Sequence, residues 1–454
     1  MAEVAAPPTD QSQPVQRKQF AALLALAAVV GVVVSFAAWC FLQGVHELQQ
    51  AVYDDLPRAL GFDNGAPRWW SLPCCGFAGL ITAFAIVRLP GRGGHIPAEG
   101  LNVSPTQPVE LPGVVLAAVA TLSLGIVLGP EAPLIAVGGG LATLAIRLAR
   151  RTASPQVEQV MAASGAFAAV SFLFGSPVIA AVILIEATGL GGPKLPLVLV
   201  PGLLAAGIGS LVAIGMGSWT GVDTSDFALA PVSLPTFARP DFVDFLWTIP
   251  LAIAIAVGAF VVLRLARILL RLVEGREFML LPLAGLAIAG LAIAFSEAAD
   301  HSVSEVWFSG EVALPSLVAN PGAWAVSALA LLIAFKGVAW SISLAGFRGG
   351  PVFPALFLGA AAGMLASHLP GLELTPAVGV GMGAAIAAVL QLPLSAVILA
   401  ALLTGGSGAG ASPVIIVGVI VAYLTTRILT GPPPAAPPAE SAAAETTAPP
   451  AVPA

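Results

Sequence analysis

Three short Gly/Pro segments combine residue types that leave backbone N–H groups free for a ligand. They are Gly93-Gly94-His95-Ile96-Pro97, Gly129-Pro130-Glu131-Ala132-Pro133 and Gly350-Pro351-Val352-Phe353-Pro354. Glycine permits close approach of the backbone, and proline favours the first turn of a helix. A helix N-terminus has unpaired N–H groups and the positive end of the helix dipole. Each segment therefore predicts an anion site built from backbone, and three converging segments would replace part of the hydration shell of a small anion.

Glu131 lies inside the second of these segments. Of the 24 acidic residues, only Glu131 and Glu186 lie in apolar stretches with a Gly/Pro motif close by. A carboxylate within a membrane is costly and is by default a functional hypothesis. Since Glu131 stands among amides that would bind an anion, we expect its carboxylate to occupy that site when ionised and to leave it when protonated. Glu131 is therefore predicted to be both gate and proton carrier.

The sequence leaves three other polar residues with two interpretations each. Glu186 is either a second gating or proton group, or an interfacial carboxylate that partners Lys194. Lys336 either attracts anions into a vestibule or extends its ammonium to the membrane interface. His95 either helps to select the anion or makes a hydrogen bond within its turn.

The composition places these motifs in a membrane protein. The chain has 454 residues, of which 58% are hydrophobic and 9% charged, against about 25% charged in a soluble domain. These values exclude a disulfide scaffold, a coiled coil and a disordered regulator, and argue against a cytosolic enzyme. The net charge of −6 gives no support to nucleic-acid binding. The three cysteines form no CxxC pair, so we expect no metal and no cofactor.

The hydrophobic pattern predicts an all-α polytopic protein of about ten spans, located in the cell membrane. Several apolar stretches are too short or too interrupted by Gly and Pro to cross alone, so we expect some half-helices. The expected organisation is a disordered tail at 1–18, a membrane domain at 19–430 with halves at about 19–217 and 242–430, and a disordered Pro/Ala-rich tail at 431–454. Arg and Lys are scarce in the loops 218–241 and 298–322, which predicts that both are external.

An internal repeat divides the chain into two halves. The pattern G-P-x-x-P-x4-G begins at Gly129 and again at Gly350. Downstream, Pro177, Ala180, Thr188 and Gly189 recur as Pro393, Ala396, Thr404 and Gly405, and the run that begins at Gly165 resembles the run that begins at Gly383. Three matches in the same order favour a two-fold repeat with a site between the halves, as in many secondary transporters.

Taken in order, the three Gly/Pro segments resemble the signatures of the CLC family of chloride channels and proton-coupled chloride transporters. The family patterns are G-S-G-I-P, G-[KR]-E-G-P and G-x-F-x-P, and the resemblance covers about residues 20–430. It implies an antiparallel two-half inverted repeat with broken and tilted helices, a homodimer with one pore per subunit, and Glu131 as the gating glutamate.

Several positions depart from the family patterns. Gly94 replaces the serine that touches the central anion, and Pro130 stands where the family has Lys or Arg. Val352 takes the position of the family's Phe, and Pro351 has no N–H to donate. The family's inner glutamate aligns with Ala187, the neighbour of Glu186. Proton coupling therefore rests on weaker support than anion movement.

These observations favour transport of chloride or a similar small anion across the lipid bilayer, with proton exchange and passive conduction both open. The predicted anion-binding residues are Gly93, Gly94, His95, Ile96, Pro97, Gly129, Pro130, Glu131, Gly350, Pro351, Val352 and Phe353. A fluoride or other halide exporter and a cation-coupled carrier for an organic solute are the alternatives within transport. An intramembrane enzyme is the alternative from another class, but the chain has no HExxH motif and no GxSxG elbow.

Overall fold

The computed structural model of the protein describes residues 17–63, 65–100, 106–149, 154–189, 195–221 and 231–431. Within these ranges the regular structure is helical, and one isolated antiparallel bridge joins Gly129 to Gly350. The helices before the long connection are α1 (Arg17–Gln50), α2 (Leu56–Ala59), α3 (Ser71–Arg88), α4 (Leu111–Ser123), α5 (Glu131–Ala149), α6 (Pro155–Phe174), α7 (Pro177–Thr188) and α8 (Leu195–Thr220). Those after it are α9 (Phe242–Val273), α10 (Glu277–Ala299), α11 (Ala313–Ala319), α12 (Val326–Gly346), α13 (Val352–Ala366), α14 (Leu374–Leu390), α15 (Pro393–Thr404) and α16 (Ser412–Thr430).

Many of these helices are long enough to cross a membrane. In the described ranges, nine helical segments are both apolar and at least 18 residues long, from Glu131–Ala149 with 19 residues to Phe20–Ala59 with 40. Four further apolar segments are shorter, as expected for half-helices: Pro108–Ser123, Pro177–Thr188, Val352–Ala366 and Leu374–Leu390. The chain is thus an all-α, multi-pass integral membrane protein with broken helices, as the sequence predicts.

Two apolar stretches that look continuous in sequence are each divided into two helices. The stretch at 159–187 breaks between α6 and α7, where Gly175 has the left-handed φ of 62° and the Ser176 hydroxyl accepts a hydrogen bond from the N–H of Ile179. The stretch at 376–403 breaks between α14 and α15 at Gln391, whose φ is 57°. A left-handed residue ends a helix and lets the chain reverse, so each break makes a hairpin of two helices.

The internal repeat recurs as a repeated helix crossing. A Cβ added to Gly138 of α5 would meet the carbonyl oxygen of Gly165 on α6, and a Cβ added to Gly359 of α13 would meet that of Gly381 on α14. Glycine lets the two backbones of each pair touch, as is common between membrane helices. By this contact Gly165 corresponds to Gly381 rather than to Gly383, so the sequence alignment of that run is two residues out of register.

The shifted register agrees with the next pair of helices. α7 and α15 both have 12 residues, begin at proline and end at threonine. Their starts at Pro177 and Pro393 are separated by the same 216 positions as Gly165 and Gly381. The boundaries predicted for the two halves stay a prediction, and the two predicted tails, apart from residues 17, 18 and 431, lie outside the described residues.

Candidate functional site

The second and third Gly/Pro segments lie side by side at the start of α5 and α13. The N–H of Gly129 donates to the carbonyl of Gly350 at 2.8 Å, and the N–H of Gly350 donates to the carbonyl of Gly129 at 2.6 Å. This reciprocal pair holds the two helix starts together in an antiparallel arrangement. The repeat thus brings its two copies of the motif to one place.

Glu131 reaches from one motif into the other. Its Oε1 accepts a hydrogen bond from the N–H of Phe353 at 2.8 Å, and the residue is 1% exposed. Its Oε2 is buried and has no hydrogen-bond partner among the described residues. The carboxylate therefore lies at the N-terminus of α13, where free amides and the helix dipole stabilise negative charge.

The local sequence explains why the carboxylate fits there. A side chain at Gly350 would overlap the carboxylate of Glu131, so only glycine leaves the space that it fills. Pro351 has no N–H, and the amide that bonds to Glu131 belongs to Phe353, two residues later. The ring of Phe353 stacks on that of Phe174 at the end of α6, with 5.7 Å between centroids. This contact ties the donor residue to the other half of the protein.

The first Gly/Pro segment forms a tight loop after α3. Gly93 is buried and Gly94 has a φ of 98°, a conformation that suits glycine. A 3-10 turn at Pro97–Glu99 follows, and positions 101–105 lie outside the described residues. A ring nitrogen of His95 is 2.7 Å from the carbonyl oxygen of Gly100, so the histidine takes part in closing this turn. Burial lowers the pKa of His95 below its usual value, which favours the neutral ring.

Arg348 connects the first segment to the third and was missed in the sequence. It is 5% exposed, and its guanidinium donates to the carbonyls of Arg92, Gly346 and Phe347. A Cβ on Gly93 would stand 3.5 Å from the Arg348 side chain. Among the described ion pairs none involves Arg348, so a buried positive charge stands two residues before the bridged Gly350. The only signal in sequence is a single arginine between an apolar helix and a Gly/Pro motif.

Lys336 adopts neither of the two roles that the sequence suggests. It is fully buried, so it neither lines a vestibule nor reaches the interface. Its ammonium donates to four successive carbonyls, those of Glu305, Val306, Trp307 and Phe308, at 2.9 to 3.3 Å. It also lies 4.4 Å from the ring centroid of Phe357 on α13. Lys336 therefore fixes the loop between α10 and α11 against the helix whose first turn holds Glu131.

Glu186 lies near the end of α7, and its carboxylate reaches the start of a second helix, α15. Its carboxylate accepts hydrogen bonds from the N–H of Leu394 at 2.9 Å, and from the N–H and hydroxyl of Ser395 at 2.7 and 2.6 Å. It thus caps the N-terminus of α15, the repeat partner of its own helix α7. Lys194, the partner suggested by sequence, lies outside the described residues. A proton-carrying role for Glu186 stays a prediction.

Comparison with known proteins gives three kinds of relative. The family model described as voltage gated chloride channel matches residues 98–427. A protein named "Putative ion-transport protein YfeO", from Escherichia coli O1:K1 / APEC, is 33% identical over 361 residues, which cover 77% of this chain and 80% of the relative. YfeO of strain SE11 is 32% identical over the same coverage.

Solved structures share the fold at low identity. A slow cyanobacterial Cl⁻/H⁺ antiporter superposes with a TM-score of 0.73 and 19% identity, over 90% of this chain and 95% of the other. A CLC-type fluoride/proton antiporter gives 0.69 and 17%, over 91% and 98%. A eukaryotic CLC transporter gives 0.68 and 16%, over 89% and 71%. The two-half inverted repeat is therefore the architecture of this chain.

Proposed function

This chain belongs to the voltage gated chloride channel family, and we propose that it moves chloride or a similar small anion across the membrane, with Glu131 as the gate. It is a member of a family of channels and transporters, and we propose that it has no enzymatic activity. The observation that carries the proposal is the hydrogen bond from the amide of Phe353 to the carboxylate of Glu131.

In this proposal the carboxylate of Glu131 stands in for the transported anion. An ionised carboxylate and a halide both need amide donors and a positive helix end, so they compete for the first turn of α13. Protonation removes the negative charge of Glu131 and with it most of its attraction to the Phe353 amide. The neutral side chain then leaves the site, and an anion takes its place.

In this proposal the predicted anion-binding residues of the first segment, from Gly93 to Pro97, add a second group of backbone donors beside Arg348. Gly94 offers no side-chain hydroxyl, so the backbone and the fixed charge of Arg348 hold the anion there. A guanidinium without a carboxylate partner favours an anion beside it. This arrangement needs no cofactor.

Fluoride is the second candidate for the transported ion. A site without the selecting serine depends on backbone donors, and one solved structure of the same fold is a fluoride/proton antiporter. Chloride is supported to the same extent, because another solved structure of the same fold is a Cl⁻/H⁺ antiporter. A flux assay with each halide separates the two.

We propose exchange with protons, because the group that opens the site is itself a proton acceptor. We also propose a homodimer with one pore per subunit. In this proposal the second subunit covers large aliphatic side chains that are exposed on α8 and α16 of the single chain, among them Leu211, Ile214, Ile420 and Ile428. Mass photometry of the purified protein in detergent tests the dimer, which predicts twice the 45.5 kDa chain mass plus detergent.

The experiment for the gate uses reconstituted vesicles. Anion efflux is measured over a range of external pH for the wild type, Glu131→Gln and Glu373→Gln. Glu373 is an exposed carboxylate at the start of α14 and serves as the matched control. We expect anion efflux to depend on external pH in the wild type and in Glu373→Gln, and to be independent of pH in Glu131→Gln. An unchanged pH profile in Glu131→Gln contradicts it.

A further inference from the structure

A cavity large enough for several water molecules reaches Pro130, the residue next to Glu131, but not Glu131 itself. The cavity has a volume of about 480 Å³ and lies between the end of α1 and the loop 303–312; we call it the vestibule. Its lining includes His46, Asp54, Leu128, Pro130, Glu305 and Glu311. Glu131 does not contribute to the lining and is 1% exposed. A proton from the vestibule therefore needs a carrier to reach the carboxylate of Glu131.

Glu311 has the position of such a carrier. Its side chain is half-buried and lines the vestibule, and its Oε1 is buried with no hydrogen-bond partner among the described residues. Oε2 of Glu131 is in the same state. A buried carboxylate oxygen without a hydrogen-bond donor is costly while it is charged, and a proton on the carboxyl group lowers that cost. Both carboxyl groups thus have one oxygen available for a proton.

The loop that bears Glu311 is held firmly against α13. Lys336 donates to the four carbonyls of residues 305–308, and Gly310 packs so closely on the ring of Phe357 that it has no room for a side chain. Phe357 lies one turn after Phe353, the residue that donates to Glu131. The contacts of this loop therefore place Glu311 beside the helix that receives the gate.

The charges around Glu311 favour its protonated form. Burial raises the pKa of Glu311 well above its usual value, and the negative charge of Glu131 raises it further. The other ionisable groups that line the vestibule are His46 on α1, Tyr53 and Asp54 in the turn after α1, and Glu305 in the loop. Burial also raises the pKa of Glu305, and the charges of Lys336 and His301 oppose that shift. Two carboxyl groups of the vestibule, Glu305 and Glu311, therefore favour their protonated forms.

We propose that Glu311 carries protons between the vestibule and Glu131. A hydronium ion in the vestibule gives its proton to the carboxylate of Glu311 and is left as water. A rotation of the Glu311 side chain or one intervening water then brings the two carboxyl groups within hydrogen-bond reach, and the O–H bond of Glu311 breaks as an O–H bond forms on the carboxylate of Glu131. Glu311 is left ionised, ready for the next proton, and Glu131 is left neutral and free to leave the Phe353 amide. The inference rests on the proposed gating role of Glu131 and adds the residue that delivers its proton.

The test follows anion flux after a sudden drop of external pH. Full-length protein is reconstituted, and chloride and fluoride efflux are recorded with ion-selective electrodes for the wild type, Glu311→Gln, Glu311→Asp and Asp54→Asn. Asp54 is an exposed carboxylate of the same vestibule and is the matched control. We expect activation in Glu311→Gln to be about tenfold slower, since a positioned proton carrier contributes at least that much. We expect Glu311→Asp to recover part of the rate and Asp54→Asn to behave as the wild type.

A double variant separates proton delivery from a structural role. In the Glu131→Gln background there is no carboxylate to protonate, so adding Glu311→Gln is expected to leave anion flux unchanged. A wild-type activation rate in Glu311→Gln overturns the inference. So does a double variant in which Glu311→Gln lowers the flux as much as it does in the wild-type background. Loss of pH dependence in Glu131→Gln combined with wild-type behaviour of Glu311→Gln rejects the relay but keeps the gate, whereas pH-dependent flux in Glu131→Gln rejects the gate.

Discussion

The carboxylate of Glu131 at the start of α5 accepts a hydrogen bond from the backbone amide of Phe353 in the first turn of α13, across the boundary between the two halves of the repeat. The reciprocal hydrogen bonds of Gly129 and Gly350 hold the two helix starts at this distance. One half therefore supplies the negative group and the other supplies the donors that an anion would use.

Gly350→Ala is expected to displace the gate. The new methyl group would overlap the carboxylate of Glu131, which can move away more cheaply than the paired backbone. Anion flux should then depend weakly on external pH, as in Glu131→Gln, and vesicle efflux measures this. Gly215→Ala on α8, where a methyl group meets nothing within 4 Å, is the control. A wild-type pH profile in Gly350→Ala would show that the carboxylate does not fill this space.

Lys336→Met is expected to lower the free energy of unfolding by about 3 kcal/mol, since it leaves buried carbonyls without their charged donor. Denaturation in detergent, followed by tryptophan fluorescence, measures the loss. Arg264→Met on the exposed side of α9 should change little. Equal stability of Lys336→Met and the wild type would contradict a structural role for the ammonium.

Gly165→Ala and Gly381→Ala are expected to destabilise the protein by similar amounts, about 1–3 kcal/mol each, because both methyl groups meet a backbone carbonyl of the facing helix. Thermal unfolding of each variant provides the comparison. Gly139→Ala, one residue away from the first crossing, finds only ordinary contacts and should be tolerated. A large loss at one crossing and none at the other would refute the equivalence of the two pairs.

Glu186→Ala is expected to cost about 1 kcal/mol of stability, the usual value of a lost helix cap. If capping is its whole role, Glu186→Gln keeps proton flux at the wild-type level, as measured with a pH dye inside vesicles. Loss of proton flux in a stable Glu186→Gln variant would instead support the proton-carrying role that the sequence suggests.

The sequence predicts the fold and the pair of motifs because both depend on local features. Apolar stretches indicate helices, and Gly and Pro indicate where the helices end. The half-helices and the repeat can therefore be predicted from the sequence. Glu131 stands out because an acidic residue among apolar ones is rare. The breaks at Gly175 and Gln391 are harder to find, since a left-handed residue leaves little trace in an apolar run.

Contacts between distant parts of the chain determine the roles that the sequence does not predict. Lys336 donates hydrogen bonds to carbonyls about 30 positions earlier in the chain, and Arg348 donates one to the carbonyl of Arg92 in the other half. Nothing in the apolar helix around Lys336 indicates which loop it will hold. In the sequence nothing distinguishes Glu311 from other loop carboxylates. Only the folded structure shows that one of its oxygens is buried beside the vestibule.

Simultaneous recording of halide and proton flux in vesicles containing the wild type or Glu131→Gln tests the gate most directly. The account predicts that an imposed halide gradient drives protons across the membrane in the wild type, and that Glu131→Gln moves halide without protons and without dependence on pH. Proton movement that persists in Glu131→Gln, coupled to halide as in the wild type, would contradict the central role of Glu131.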